Sequence, residues 1–390
     1  MNFQVKFYTI LIVFSMILFG YEGGYVSIGY SLVIFAVGFS YIKNKEVLFN
    51  KWLFFFAFYC FSIQFLYNYL FVGDTITGIS IVVMYLGIVV LAKFISEEYI
   101  YRVLKVFGVI SILGIFYHFI IIYFYNTPVS SITLGGANLI GYEDRVHLRP
   151  VSFFSEPQAF ASFIMPFLFL AIKRADLFWA IIITFAIVLS SSIQGMFISS
   201  ILWLVFLFKH KIYQQVISFA ILIAFYLFFS LTQSFSFTEN KISSFDITSD
   251  VRIARGFLIF NTMSAEKKAF GVGFGMDNVK NYAQSKDDIL EWSYGNEKAG
   301  YTSGVSGLLV QFGYVGCALY FLLLFKLYTN SQKENKIFII LILASSFSQN
   351  LLFNSWFFYF FVFYFGIEND FYRKARHIDN LKRKKKIINA

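Results

Sequence analysis

Between residues 145 and 158 the chain reads Arg-Val-His-Leu-Arg-Pro-Val-Ser-Phe-Phe-Ser-Glu-Pro-Gln, a polar segment caught between two long apolar runs. Arg145 and Arg149 stand four residues apart. Each carries a planar fork of donors that grips phosphate bidentately, so the pair could hold a diphosphate. Glu156 could serve as base or hydrogen-bond acceptor toward a hydroxyl nucleophile, with His147 the second choice. Ser155-Glu156-Pro157 also has the form of a helix start: Ser155 as cap, Pro157 in the first turn, an acid near the positive end. The two roles of Glu156 are compatible. The plainer reading of Arg149 is an arginine at headgroup level, and that of His147 is a bystander.

A second polar stretch, about 232–302, contains Asp250-Val-Arg252-Ile-Ala-Arg255-Gly-Phe-Leu-Ile-Phe-Asn261. Arg252 and Arg255 are three apart and share one face of a helix. Ile253, Phe257 and Phe260 would then face apolar surroundings. The expectation is a short amphipathic helix at the membrane with both arginines directed at the same diphosphate. The alternative is an ordinary interfacial helix whose basic residues meet lipid phosphates. Gly271-Val-Gly273-Phe-Gly275 follows. It lacks the spacing and the βαβ surroundings of a dinucleotide fingerprint, and reads as tight turns that bring backbone close to a ligand.

The elements that must position these residues are apolar. Of 390 residues 58% are hydrophobic, 22% are aromatic and only 14% are charged, and mean hydropathy is +0.68. Soluble domains carry about 25% charge, so the class is an all-α polytopic membrane protein. Windows of roughly 20 apolar residues fall at 7–20, 25–42, 52–71, 76–95, 107–125, 159–172, 177–192, 196–208, 214–231 and 303–325. The stretch 337–367 is interrupted at 346–350 and at Asn354-Ser355 and divides into two, giving about 12 spans. With both termini in the cytoplasm, most of the 32 Lys and Arg fall on the inside, as the positive-inside rule requires. The two long loops, about 126–158 and about 232–302, then lie outside. Residues 1–372 read as a single transmembrane domain and 373–390 as a basic cytoplasmic tail, with Lys382-Arg383-Lys384-Lys385-Lys386 an anchor to anionic lipid.

This distribution accounts for the net charge of +10 without nucleic acid. Cys60 and Cys317 lie inside apolar runs and read as packing residues, with no disulfide framework or metal-ligand spacing. The apolar N-terminus lacks a small-residue cleavage site and a second apolar run follows almost at once, so the two read as a retained helix pair rather than a signal peptide. No P-loop, HExxH, GxSxG or EF-hand pattern appears, and no paired Asp-x-Asp, so neither metal nor cofactor is expected. The outer face offers no nucleotide sugar or ATP. An enzyme working there needs a donor already activated on the membrane, such as a sugar on a polyprenyl diphosphate.

Arg149-Pro-Val-Ser-Phe-Phe-Ser-Glu156-Pro157 leading into a helix, Leu189-Ser-Ser-Ser-Ile-Gln-Gly195 at an outer turn, Arg252 to Gly275, and Gly313-Tyr-Val-Gly316 together resemble the bacterial O-antigen and capsular polysaccharide polymerases (Wzy-type), within the O-antigen polymerase/ligase superfamily. The resemblance implies a GT-C-like, metal-independent, inverting glycosyltransferase of the bacterial plasma membrane. It would move a growing glycan from undecaprenyl diphosphate onto the terminal sugar of another lipid-linked repeat unit, in the synthesis of lipopolysaccharide O antigen or capsule. By position it carries diphosphate binding onto Arg149, Arg252 and Arg255. Expected partners are the undecaprenyl-diphosphate-linked oligosaccharide and membrane lipids, with a chain-length regulator protein as a further candidate.

The sequence departs from the superfamily at two places. Where the ligase branch places His-Asn, this chain has Thr302-Ser303, which argues against a ligase and leaves the general base open. Ser190-Ser-Ser-Ile-Gln194 lacks the arginine that often follows the serine run. The competing class is a lipid-linked oligosaccharide flippase or exporter, which should line a central cavity with charged residues. Inside the spans only His118 and Lys93 come close.

Overall fold

The computed structural model describes residues 3–18, 20–23, 26–43, 48–67, 76–133, 149–209, 251–285, 302, 304–348 and 355–388. Among the described residues the chain is almost wholly α-helical. In order the helices are α1 (Phe3–Leu18), α2 (Ile28–Lys43), α3 (Lys51–Tyr67), α4 (Ile76–Leu91), α5 (Glu97–Phe124), α6 (Pro157–Lys173), α7 (Leu177–Leu189), α8 (Ile193–Lys209), α9 (Val251–Asn261), α10 (Ala265–Phe270), α11 (Met276–Gln284), α12 (Gly304–Asn330), α13 (Lys336–Ser348) and α14 (Ser355–Ile388). A 3₁₀ turn at Ala92–Phe94 follows α4, and Glu22–Gly23 pairs antiparallel with Val26–Ser27 between α1 and α2.

The apolar runs read from the sequence fall on α1–α8 and α12–α14. The run 214–231 lies outside the described residues. Helix α5 begins at Glu97 rather than 107, because Arg102 and Lys105 continue it with charged side chains, and Glu97 and Glu98 sit where the helix dipole favours acids. It has 28 residues and spans about 42 Å. Among the described residues, helices α5 and α12 are long and apolar enough to cross a membrane, while eight other apolar helices have 10–17 residues. Large apolar side chains such as Phe55, Phe58, Leu113, Tyr117 and Phe325 are exposed, where a helix facing water would carry polar groups.

Helix α6 is the axis of the packing. It touches α5, α7, α8 and α14, and every residue from Phe160 to Ile172 is buried. The first half of α14 is enclosed too, Phe357 through Tyr364 being buried. Several buried hydroxyl and indole groups find partners, which offsets their desolvation in an apolar interior. Trp203 Nε1 donates to Thr184 Oγ1 at 2.8 Å, Tyr359 OH donates to Ser15 Oγ at 2.9 Å, and Tyr320 and Ser346 share a bond of 2.6 Å. Helix α14 passes residue 373 without a break.

One end of the bundle is tied by charge. Lys173 Nζ, at the end of α6, lies 2.6 Å from Glu97 Oε2 at the start of α5. It also donates to Asn335 Oδ1 at 2.7 Å, just before α13. Arg174 meets Glu98 at 2.6 Å. Glu368 of α14 accepts from Asn335 Nδ2 at 3.0 Å and from the Gln332 N–H at 3.1 Å. Arg373 donates to the carbonyls of Lys93 and Ile95 at 3.0 and 2.8 Å. Because this cluster holds the ends of α6 and α12 and the start of α5, the starts of α6 and α12 and the end of α5 all lie at the opposite end.

Candidate functional site

At that opposite end, the segment between Arg149 and Pro157 is clamped from three sides. His118 of α5, buried, accepts at Nδ1 from the backbone N–H of Val151 (3.4 Å) and of Ser152 (3.2 Å). Accepting two such bonds leaves Nδ1 without a proton. The Tyr21 hydroxyl, just past α1, lies 2.9 Å from the carbonyls of both Ile132 and Phe153 and shares its single proton between them. Ser131 Oγ donates to the Phe154 carbonyl at 2.9 Å, and the Ile132 N–H to the Ser152 carbonyl at 2.9 Å. The two margins of the long loop are thus bound to each other. Ser152 adopts a left-handed φ of 58°, which a small side chain tolerates better than a branched one. Gly114 of α5 lets it approach, since a Cβ at 114 would strike the Ser152 side chain. Phe154 completes the seat among Phe160 and Phe163 of α6, with ring centroids 5.9 and 5.2 Å away.

Arg149 opens this ledge and is half-buried. Glu156 closes it. The helix-start reading needs a correction: α6 begins at Pro157, and Glu156, not Ser155, is the N-cap residue. A residue before proline is held extended, and Glu156 has φ −150° and ψ 155°. Its carboxylate makes no capping bond to the helix. Arg145 and His147 lie outside the described residues.

The second loop corrects the expected picture more strongly. Helix α9 exists, but Arg255 is fully buried. It shares a stripe with Gly256, Ile259, Phe260 and Met263, spaced as one helical face, while Phe257 is exposed. The arginine and the apolar row therefore coincide rather than oppose. Gly256 lies against Ser306, so this stripe packs on the start of α12. An interfacial arginine reaching lipid phosphates is excluded for Arg255. Burial draws its pKa down from the ordinary guanidinium value, which starts so high that the side chain stays cationic. Arg252 lies on the same helix, three residues before Arg255; its side chain lies outside the described residues. Ile259, Phe260, Met263, Val272, Val279, Tyr282, Ala283 and Val310 form a small core of their own, so 251–285 is a helical cap rather than a surface loop.

The glycine run serves this cap. Helix α12 kinks at Gly313, with φ 65°, and a kink orphans carbonyls. The Val310 carbonyl accepts from the Val272 N–H and that of Gln311 from the Gly273 N–H, both at 3.0 Å. The Phe312 carbonyl accepts from Tyr59 OH at 2.9 Å. Gly271, at φ 86°, would drive a Cβ into the Gln311 carbonyl, and Gly313 into that of Ala269. Gly271 and Gly313 thus bring backbone against backbone. The Phe274 N–H donates to Gln64 Oε1, which fastens the cap to α3.

The turn Ser190–Gly195, between α7 and α8, lies at the same end. Gly195 packs on Ala161, one turn into α6, and on Ile187. The Gly195 N–H donates to Ser192 Oγ at 3.2 Å and Ser190 Oγ to the Ile187 carbonyl at 2.6 Å.

The structure therefore places Arg149 and Glu156 on one clamped segment and Arg255 at the same end of the bundle. Sequence reasoning passed over Tyr21, Gln64 and His118 as supports. A lone histidine inside an apolar span was the available signal for the last. No protein-family model matches this chain, and no curated protein matches it.

Proposed function

We propose that the chain is a polysaccharide repeat-unit polymerase of the plasma membrane. It would transfer a glycan from undecaprenyl diphosphate to the terminal sugar of a second lipid-linked repeat unit at the outer face. In this reading the bundle crosses the membrane about 12 times, with the ion-paired end and both termini in the cytoplasm. The observation that carries the reading is the gathering of Arg149, Glu156 and Arg255 at the end opposite the ion-paired cluster. Two of these residues sit on a braced ledge and one is buried in a cap packed on α12.

A departing diphosphate gains negative charge as the glycosidic bond breaks. Arginines fixed before the reaction stabilise that charge more in the transition state than in the ground state. Arg149 and Arg255 take this role, with Arg145 and Arg252 beside them in sequence. Glu156 accepts the proton of the acceptor hydroxyl as the new bond forms, and His147 is the alternative base.

The test is complementation of a null strain. Arg149→Ala should cut polymer by about 10²–10³ at wild-type protein level. Normal ladders from that variant would remove Arg149 from the site.

A further inference from the structure

The Ser190–Gly195 turn holds polar groups that the described residues do not use. Gln194 is 8% exposed and Ser191 is 2% exposed. Among the described residues, neither Gln194 Oε1 nor Ser191 Oγ, both buried, has a hydrogen-bond partner. Buried polar atoms are rarely left so, because desolvation is uncompensated. Nearby Ser190 and Ser192 do have partners, so the turn is not polar by neglect. It also opens α8, a helix of 17 residues, whose first N–H groups have no carbonyl to meet.

The chemistry of these groups selects a ligand. An amide offers an acceptor and donors, and a serine hydroxyl offers both. A phosphate oxygen answers donors only and meets the Gln194 carbonyl unfavourably. A sugar hydroxyl answers both kinds. No cationic side chain lies between Leu189 and Gly195. We propose that Ser191 and Gln194 bind hydroxyl groups of a neutral sugar, the acceptor residue, beside the Arg149–Glu156 ledge. Gly195 sets this register: it rests on Ala161, five residues past Glu156, so a sugar held by the turn lies at the end of the bundle where the bond between donor sugar and diphosphate would break. The identity of that sugar as acceptor rests on the polymerase reading; binding of a neutral sugar does not.

Two measurements separate these. The first follows the oligosaccharide released by mild acid from the cell's own polyprenyl-linked intermediate, by saturation-transfer NMR on purified protein. Wild type should show transfer to the sugar, and Gln194→Leu and Ser191→Ala should each lose most of it. The second titrates the single repeat unit as acceptor against a fixed lipid-linked donor. Each variant should raise acceptor KM about tenfold and leave donor KM unmoved. A purely structural Gln194 predicts a lower thermal midpoint in Gln194→Leu. A sugar-binding Gln194 predicts an equal or higher one, since an apolar side chain relieves an unmet polar group. Sugar binding that depends on Gln194 in a protein that makes no polymer would sustain the inference and remove the polymerase reading. Polymer formation with unchanged acceptor KM and unchanged transfer in both variants would overturn the inference alone.

Discussion

Arg149 depends on neighbours that do no chemistry. Its ledge is held by one imidazole nitrogen accepting two backbone N–H groups and by one phenol spanning two carbonyls. Replacing His118 with Leu removes the acceptor and leaves both N–H groups buried, a cost of about 1–3 kcal/mol. The expected outcome is a lower thermal midpoint together with reduced polymer, since the arginine loses its placement. A His118→Leu protein with unchanged midpoint and full activity would contradict the clamp. Arg149→Lys should fall between wild type and Arg149→Ala in polymer yield, because an ammonium keeps the charge but loses the bidentate fork. Arg255 differs in kind. It is buried by its own helix stripe and stays charged, so its field acts in a poorly screened environment.

At the scale of elements, the kink in α12 is the joint between bundle and cap. Three successive carbonyls released by Gly313 are taken up by Val272, Gly273 and Tyr59. Gly313→Ala would place a Cβ at left-handed φ against the Ala269 carbonyl, costing about 1–3 kcal/mol. Gly38→Ala is the matched control, with nothing within 4 Å of the added carbon, and should be neutral or slightly stabilising. Thermal midpoints of the two variants check this. The helices themselves were legible, because a long uninterrupted apolar run has few alternatives to a helix. The helix at Pro157 was legible from the proline, though its cap was misplaced by one residue. Arg255 was not legible: periodicity shows which residues share a face, not whether that face meets lipid or another helix. The packing of Gly271 on the Gln311 backbone was not legible for a related reason, since its partner lies about 40 residues further along the chain. His118, Ser152 and Tyr21 meet only through the fold, and no spacing in the sequence connects them.

The whole molecule has two unlike ends. One is fastened by Lys173, Glu97, Asn335 and Glu368, and the other carries the ledge, the cap and the serine turn. The proposed topology puts them on opposite sides of a membrane. In a Cys60→Ala, Cys317→Ala background, a cysteine at the exposed Glu266 should react with an impermeant maleimide in intact cells. One at the exposed Lys333 should react only after permeabilisation. Glycan transfer from a diphosphate lipid is measured most directly with the purified protein in liposomes. It is given the undecaprenyl-diphosphate repeat unit and EDTA, without nucleotide sugar. A ladder of lipid-linked products is the predicted result. Movement of the repeat unit across the bilayer with no ladder would contradict the polymerase reading and identify a flippase instead.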